Sequence, residues 1–103
     1  MKILIVEDEE VLVKVLQEKF EKENFTVKLV TDGELVLKLV KSFKPDLILL
    51  DIILPKKNGL EVLKELKSDP ELQNIPVAVF YCKFPDMIFH VFDRIKNLRF
   101  IFQ

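Results

Sequence analysis

Two short apolar runs, each followed by carboxylates, constrain the fold of this chain more than any other feature. Residues 3–6 and 47–50 are entirely aliphatic, which is typical of strands buried on both faces of a parallel sheet. Glu7 and Asp8 follow the first run, and Asp51 follows the second. In open α/β sheets the ligand crevice lies outside the carboxyl ends of the strands. We therefore expect the three acidic side chains to share one site.

The rest of the first 80 residues alternates between helical and strand patterns. Apolar residues recur at helical spacing in segments 11–20, 35–43 and 60–66, and strand patterns occur in segments 25–30 and 77–81. Asn24, a residue type that accepts the left-handed conformation, marks the end of the first helix. The resulting β-α-β-α-β-α-β order predicts an α/β fold with parallel strands and right-handed crossovers.

The composition indicates a single soluble domain. The chain has 103 residues, of which 50% are hydrophobic and 32% charged, and its formal net charge of −1 argues against nucleic-acid binding. One cysteine, Cys82, cannot form an internal disulfide, which fits a reducing compartment. No apolar run approaches the roughly 18 residues of a membrane span. A cytoplasmic domain without membrane contact is therefore predicted.

The acidic cluster itself indicates a site for a hard divalent cation. Two carboxylates about 4 Å apart repel each other by roughly 4 kcal/mol at an effective dielectric constant near 20. Oxygen ligands suit Mg²⁺ or Mn²⁺, and an ion beside Asp51 would help that side chain accept a phosphoryl group. Acidic residues that cap the following helix are a simpler explanation, which suffices for Glu9 and Glu10. It does not account for Glu7 and Asp8 together with Asp51.

Several segments resemble the receiver domains of response regulators in two-component signalling. They are residues 3–9 (ILIVEDE), residues 45–55 (PDLILLDIILP), Asn58-Gly59 and Ile75-Pro76-Val77. The resemblance covers residues 1–80, with both acidic motifs at the spacing of the family. Residues 1–103 are therefore predicted to form one receiver domain, of which residues 81–103 diverge from the family pattern.

The resemblance implies a fold, a chemistry and a partner. The fold would be flavodoxin-like, a doubly wound parallel sheet with strand order 2-1-3-4-5. Asp51 would take a phosphoryl group from a sensor histidine kinase or a phosphotransfer protein. Asp8 and Asp51 would ligate Mg²⁺ (or Mn²⁺) directly, Glu7 would act through water, and the backbone carbonyl of Ile53 would complete the protein ligands. The domain would be a signalling module with weak self-catalysed phosphorylation and dephosphorylation, and not a metabolic enzyme.

The sequence departs from the family after the fourth strand. The family has Thr or Ser at the end of that strand to contact the phosphoryl group, whereas this chain has Tyr81, followed by Cys82. A phenol is longer and stiffer than a small hydroxyl group, so the usual inward swing is not expected here. The backbone N–H of Cys82 is still predicted to reach a phosphoryl oxygen, as the family implies.

Two alignments compete for residues 81–103. Without gaps, residues 81–103 form helix 4 and strand 5, Phe100 stands at the family's switch aromatic, Gln103 stands at its phosphate-pairing lysine, and the last helix is missing. In the other alignment, residues 83–86 are a rearranged Lys-Pro-Phe-Asp motif and residues 94–98 belong to helix 5. We favour the ungapped alignment. Both leave apolar surface uncovered, which predicts an unstable chain, a homodimer or a strand-swapped dimer.

Other functions remain in competition with phosphoryl acceptance. A degenerate receiver that binds partner proteins without being phosphorylated fits Tyr81 and the missing lysine. An aspartate-nucleophile phosphohydrolase of another fold usually has a second Asp two residues after the nucleophile, where this chain has Ile53. A flavin-binding flavodoxin is disfavoured, because the acidic residues 7–10 would repel a phosphate.

Overall fold

Four strands and three α-helices alternate along the part of the chain that the computed structural model describes, residues 1–54 and 57–80. In chain order the elements are β1 (Lys2–Val6), α1 (Glu10–Lys22), β2 (Thr26–Val30), a 3-10 helix (Gly33–Leu35), α2 (Val36–Phe43), β3 (Leu47–Asp51), α3 (Gly59–Ser68) and β4 (Val77–Phe80). This order confirms the alternation expected from the sequence. The predicted helix 4 and strand 5 lie outside the described residues.

The four strands form one parallel sheet in the order β2-β1-β3-β4. β1 is therefore central, with β2 and β3 on either side of it. Val6, the last residue of β1, is paired with Val30 of β2 and Leu50 of β3. Because these partners lie at corresponding ends, the carboxyl ends of all three strands meet at the same edge of the sheet. The order agrees with the predicted flavodoxin-like arrangement over the described strands.

Helices cover both faces of this sheet, which explains why β1 and β3 are apolar without interruption. Ile3, Ile5, Leu47 and Leu49 pack with α1, whereas Leu4, Val6, Ile48 and Leu50 pack with α2 and α3. All of these side chains are at most 2% exposed. Each fully buried aliphatic side chain of this size stabilises the fold by roughly 1.5–3 kcal/mol. Packing on both faces of the sheet therefore fixes β1 and β3, the two strands whose carboxyl ends carry the acidic residues.

The amino ends of β1 and β3 are joined by polar contacts at the opposite edge of the sheet. The backbone N–H of Lys2 donates to Asp46 Oδ2 at 2.7 Å, and the backbone N–H of Asp46 donates to the Lys2 carbonyl at 2.8 Å. The Lys2 ammonium also donates to the Phe43 carbonyl at 3.0 Å. These bonds fix the alignment of the two strands whose other ends carry the acidic residues.

The residues that cap the helices are partly predictable from the sequence. α1 is followed by Asn24 with φ 69°, which confirms the predicted left-handed stop. α2 is followed by its C-cap Lys44 with φ 54°, directly before Pro45. Glu9 occupies the N-cap of α1, but its side chain forms no capping hydrogen bond. The expectation that Glu9 caps the helix is therefore met in position only. Among the described helices, none is long and apolar enough to cross a membrane.

Candidate functional site

The acidic residues come together because β1 and β3 are neighbours and end together. Asp51 is the last residue of β3, and Glu7 directly follows Val6, whose partner in β3 is Leu50. The backbone N–H of Glu7 donates to the Val30 carbonyl at 3.1 Å, which continues the sheet by one more bond. Glu7 and Asp51 thus lie side by side at one edge. Their proximity follows from the register of two parallel strands.

Glu7, Asp8 and Asp51 form one carboxylate cluster. One oxygen from each side chain lies within 4.8 Å of the others. Glu7 and Asp51 are completely buried, whereas Asp8 is exposed. The exposed member, Asp8, marks the side of the cluster that faces solvent. The structure therefore brings together the three side chains that the sequence singled out.

Backbone N–H groups bind one oxygen of each buried carboxylate. Glu7 Oε1 accepts hydrogen bonds from the N–H groups of Asp8 at 3.1 Å and Glu9 at 3.0 Å. Asp51 Oδ1 accepts from the N–H of Ile53 at 3.1 Å. The other oxygen of Glu7, Oε2, is also buried and receives no hydrogen bond from the part of the chain that the structure describes. A buried carboxylate oxygen without a donor is costly unless another group satisfies it.

The electrostatics of the cluster are unfavourable in the absence of a cation. Burial raises the pKa of Glu7 from its ordinary value of 4.5 to about 8, and the adjoining Asp51 carboxyl acts in the same direction. The backbone N–H of Glu9 lowers the pKa of Glu7 but does not offset these effects. Two ionised carboxylates at the outer separation of this cluster still repel by roughly 3 kcal/mol at a dielectric constant near 20. Near neutral pH the metal-free protein therefore keeps a proton on Glu7.

This donor set fits a hard divalent cation. All three donors are carboxylate oxygens, which Mg²⁺ and Mn²⁺ prefer. Two ligands of one Mg²⁺ lie at most about 4.2 Å apart, because each metal–oxygen distance is about 2.1 Å. Oxygens within 4.8 Å of one another are close to that limit, and a cation would satisfy the buried Glu7 Oε2 either directly or through a water that it binds. The arrangement is thus consistent with divalent metal binding.

The loop after β3 is held tightly against the phosphoacceptor candidate. The N–H of Gly59 donates to the carbonyl of Ile52 at 2.8 Å, and a Cβ atom on Gly59 would collide with the Asp51 carbonyl oxygen. Asn58 caps α3, because its Oδ1 accepts from the N–H of Leu60 at 2.6 Å. Gly59 is therefore required by close approach to Asp51 and not by an unusual φ angle.

The remaining site residues predicted from the sequence are Ile53, in the described part of the chain, and four residues beyond it. Ile53 lies two residues beyond Asp51, in this loop, and its N–H binds Asp51, while the metal role of its carbonyl stays a prediction. The predictions for Tyr81, Cys82, Phe100 and Gln103 fall outside the described residues. Sequence reasoning missed the ion pair between Lys57 and Glu65, whose atoms Nζ and Oε1 are 2.5 Å apart. Spacing of eight residues across a loop is no recognised pairing signal.

The sequence over most of this fold matches a known family. Residues 3–86 match the family described as the response regulator receiver domain. The match covers more than half of the chain, so the chain belongs to that family, the receivers of two-component signalling. Receiver domains generally interact with histidine kinases or phosphotransfer proteins.

Individual relatives agree with this assignment. The chain is 48% identical over 97 residues to the alkaline phosphatase synthesis transcriptional regulatory protein PhoP of Bacillus subtilis (strain 168). The matched residues are 94% of this chain and 38% of PhoP. The chain thus spans about two fifths of that relative. The phosphorylated cyanobacterial phytochrome response regulator RcpA has a similar structure, with a TM-score of 0.72 and 40% identity over 89% of this chain and 73% of RcpA. The Mn²⁺-bound response regulator Rcp1 superposes with a TM-score of 0.71 and 31% identity over 89% of this chain and 73% of Rcp1.

Proposed function

We propose that this receiver domain accepts a phosphoryl group on Asp51 from a histidine kinase or a phosphotransfer protein. The observation that carries the proposal is the cluster of Glu7, Asp8 and Asp51, in which two buried carboxylates and one exposed carboxylate lie within 4.8 Å of one another. Such a concentration of negative charge does not stabilise the fold by itself. It is well suited to hold a cation next to a carboxylate nucleophile.

In the proposed reaction, an oxygen of Asp51 attacks the phosphorus of a phosphohistidine on the partner. An O–P bond forms as the P–N bond breaks, the electron pair of the broken bond returns to the imidazole, and the imidazole takes up a proton. The N–H of Ile53, bound to Asp51 Oδ1, orients the carboxylate for this attack. The product is an acyl phosphate on the side chain of Asp51.

The metal role is assigned to the same residues. Asp8 and Asp51 would hold Mg²⁺ or Mn²⁺ directly, Glu7 would act through water, and the carbonyl of Ile53 would supply a further ligand. When bound, the cation neutralises charge on the transferring phosphoryl oxygens. Cation binding at the cluster would require Glu7 to release its proton, because the raised pKa of Glu7 otherwise keeps its carboxyl group neutral near pH 7. The likeness to a phosphorylated and to a Mn²⁺-bound response regulator supports both parts of the proposal.

The domain is proposed to act as a signalling module and not as a metabolic enzyme. Its own chemistry would be limited to phosphoryl uptake and slow loss of the phosphoryl group to water. The cluster offers one nucleophile and a cation site, and the position two residues beyond Asp51 holds the aliphatic Ile53 in place of a general acid. Rapid turnover of free phosphate esters is therefore not expected.

Intact-mass measurement after incubation with acetyl phosphate and Mg²⁺ tests the proposal. The parent chain should gain the mass of one phosphoryl group, and Asp51→Asn should gain none, since an amide oxygen is a poor nucleophile. Asp46→Asn is the matched control, because it makes the same change at the exposed opposite end of β3 and leaves an amide oxygen to accept the hydrogen bond from the Lys2 N–H. It should gain mass like the parent, and EDTA should abolish the gain. Absence of a mass gain in the parent chain would refute phosphoryl acceptance by Asp51.

A second candidate function rests on the substitutions at the end of the chain. Tyr81 and Gln103 stand where the receiver family has a small hydroxyl group and, in the ungapped alignment, a lysine. A receiver that binds partner proteins without phosphorylation would still bind a divalent cation at the acidic cluster. Metal binding without any mass gain from acetyl phosphate would favour this alternative.

A further inference from the structure

Both glycines of this chain contact the backbone on which the acidic cluster depends. The sequence has only two, Gly33 and Gly59. Gly59 lies against the Asp51 carbonyl, as described above. Gly33, in the 3-10 helix after β2, lies against Lys57, where an added Cβ would be 2.8 Å from the carbonyl oxygen and 3.0 Å from Cβ. A residue after the edge strand β2 thus contacts the loop that follows β3.

Close approach, and not backbone conformation, is what requires glycine at position 33. Neither glycine has a positive φ angle, so an L-residue could adopt the same backbone. Gly33 is buried, and the nearest atom that a side chain would meet belongs to the Lys57 backbone, which cannot rotate away as the end of a side chain can. Any larger residue at this position must therefore displace Lys57.

A displacement of Lys57 is transmitted directly to the site. Lys57 is joined through Asn58, the N-cap of α3, to Gly59, whose N–H binds the Ile52 carbonyl next to Asp51. The Lys57 ammonium is meanwhile held by Glu65 of α3 at 2.5 Å. Lys57 therefore lies against Gly33 on one side and is paired with Glu65 on the other.

We propose that Gly33 is a positioning residue for the cation site, because it allows the 3-10 helix to set the position of the Lys57 backbone and, through it, of the loop around Asp51. The proposal rests on the proposed function only in assuming that the acidic cluster binds a divalent cation. The connection between β2 and α2 carries no member of the cluster. According to the proposal, it nevertheless contributes to the affinity of the cluster for metal.

The test is the affinity for Mn²⁺, measured from the loss of the free-ion signal in electron paramagnetic resonance. Gly33→Ala should raise the Mn²⁺ dissociation constant by about tenfold or more, the range found for residues that orient the ligands of a metal. Phosphoryl uptake from acetyl phosphate should recover to within about twofold of the parent rate at saturating metal, since binding and not the nucleophile is impaired. A purely structural role would lower the melting temperature and leave the dissociation constant of the folded protein unchanged.

Val40→Ala is the matched control for lost stability. Val40 is buried in α2, the helix that follows Gly33, and it borders a cavity with Lys44 and Pro45 at the opposite edge of the sheet. This variant should melt at a lower temperature and keep the parent dissociation constant. An equal rise in the constant for Val40→Ala and Gly33→Ala would overturn the proposal, as would an unchanged constant in folded Gly33→Ala.

Glu65→Gln keeps the proposal testable where Gly33→Ala does not fold. It removes the charge that pairs with Lys57 without adding a heavy atom, so it should also raise the Mn²⁺ dissociation constant, by a smaller factor. An unchanged constant in this variant would then overturn the proposal. Because Mn²⁺ binding is measured without phosphoryl transfer, a parent chain that binds Mn²⁺ but gains no phosphoryl group refutes the proposed function alone.

Discussion

Replacing Glu7 by glutamine should remove a pH-dependent loss of stability from the metal-free protein. Glu7 is completely buried, and burial together with the adjoining Asp51 raises its pKa to about 8. In the unfolded chain the same carboxyl ionises at its ordinary value of 4.5. Between these two pH values the folded protein holds a proton that the unfolded chain has released. Rising pH therefore favours the unfolded state over this window.

The size of the effect follows from the two pKa values. The favourable contribution of protonated Glu7 is fully present below pH 4.5 and is lost as the pH rises through about 8. Each pH unit within the window changes the free energy of unfolding by about 1.4 kcal/mol. By pH 7 the accumulated loss is on the order of 3 kcal/mol, a large part of the stability of a domain of this size. Glutamine resembles the protonated carboxyl and has no proton to lose.

Urea denaturation in EDTA at a series of pH values from 5 to 8 measures this difference. The free energy of unfolding of Glu7→Gln, minus that of the parent, should grow by about 1.4 kcal/mol per pH unit. Glu10→Gln, the same change at an exposed position in the first turn of α1, is the matched control for the loss of a carboxyl group without burial. Saturating Mg²⁺ should flatten the slope of the parent, because the cation takes the place of the proton.

Parallel stability curves for the parent and Glu7→Gln would refute this reasoning. They would mean that Glu7 is ionised in the folded protein without a cation, so that its burial beside Asp51 is compensated by some other group. A slope of the opposite sign would mean that the folded protein favours the ionised form. In either case the cluster would not need a metal to relieve its charge.

Two further predictions concern the cluster and the core. Asp8→Asn should weaken Mn²⁺ binding by at least about tenfold. It should not lower stability in EDTA, because it removes a negative charge from the acidic cluster. Electron paramagnetic resonance titration measures the affinity and urea denaturation measures the stability, and an unchanged affinity would exclude Asp8 as a ligand. Phe20→Ala should lower the free energy of unfolding by about 3–5 kcal/mol, because Phe20 is fully buried and packs edge-to-face on Phe25 at 5.2 Å. A loss below about 1 kcal/mol in urea denaturation would contradict that packing.

The sequence predicted much of the framework because hydrophobic pattern and strand burial are tightly coupled. The run 47–50 followed by Asp51 coincides with β3, and Asn24 adopts the left-handed conformation expected of it. The convergence of Glu7 with Asp51 was predictable for the same reason, since parallel neighbouring strands bring their carboxyl ends together. These features depend on period and composition, which a sequence displays directly.

Contacts between loops could not be predicted in this way. The approach of Gly33 to Lys57 depends on a missing side chain and on how two connections pack, and neither leaves a periodic trace in the sequence. The ion pair from Lys57 to Glu65 likewise depends on the path of the loop before α3. Glu9 shows the converse, because a residue type suited to capping occupies the N-cap without forming the expected bond. Local propensity gives the position of such a residue but not its partner.

The alignment of β1 with β3 has a consequence for the way this protein acquires its chemistry. A slip of one residue between the two strands would shift Asp51 by about 3.3 Å along β1 and turn its side chain to the other face of the sheet. The aliphatic residues of both strands are alike, so the hydrogen bonds between Lys2 and Asp46 help to distinguish the native pairing from the slipped one. Recovery of Mn²⁺ binding during refolding would therefore count the molecules whose strands have reached correct registration, independently of how compact the chain has become.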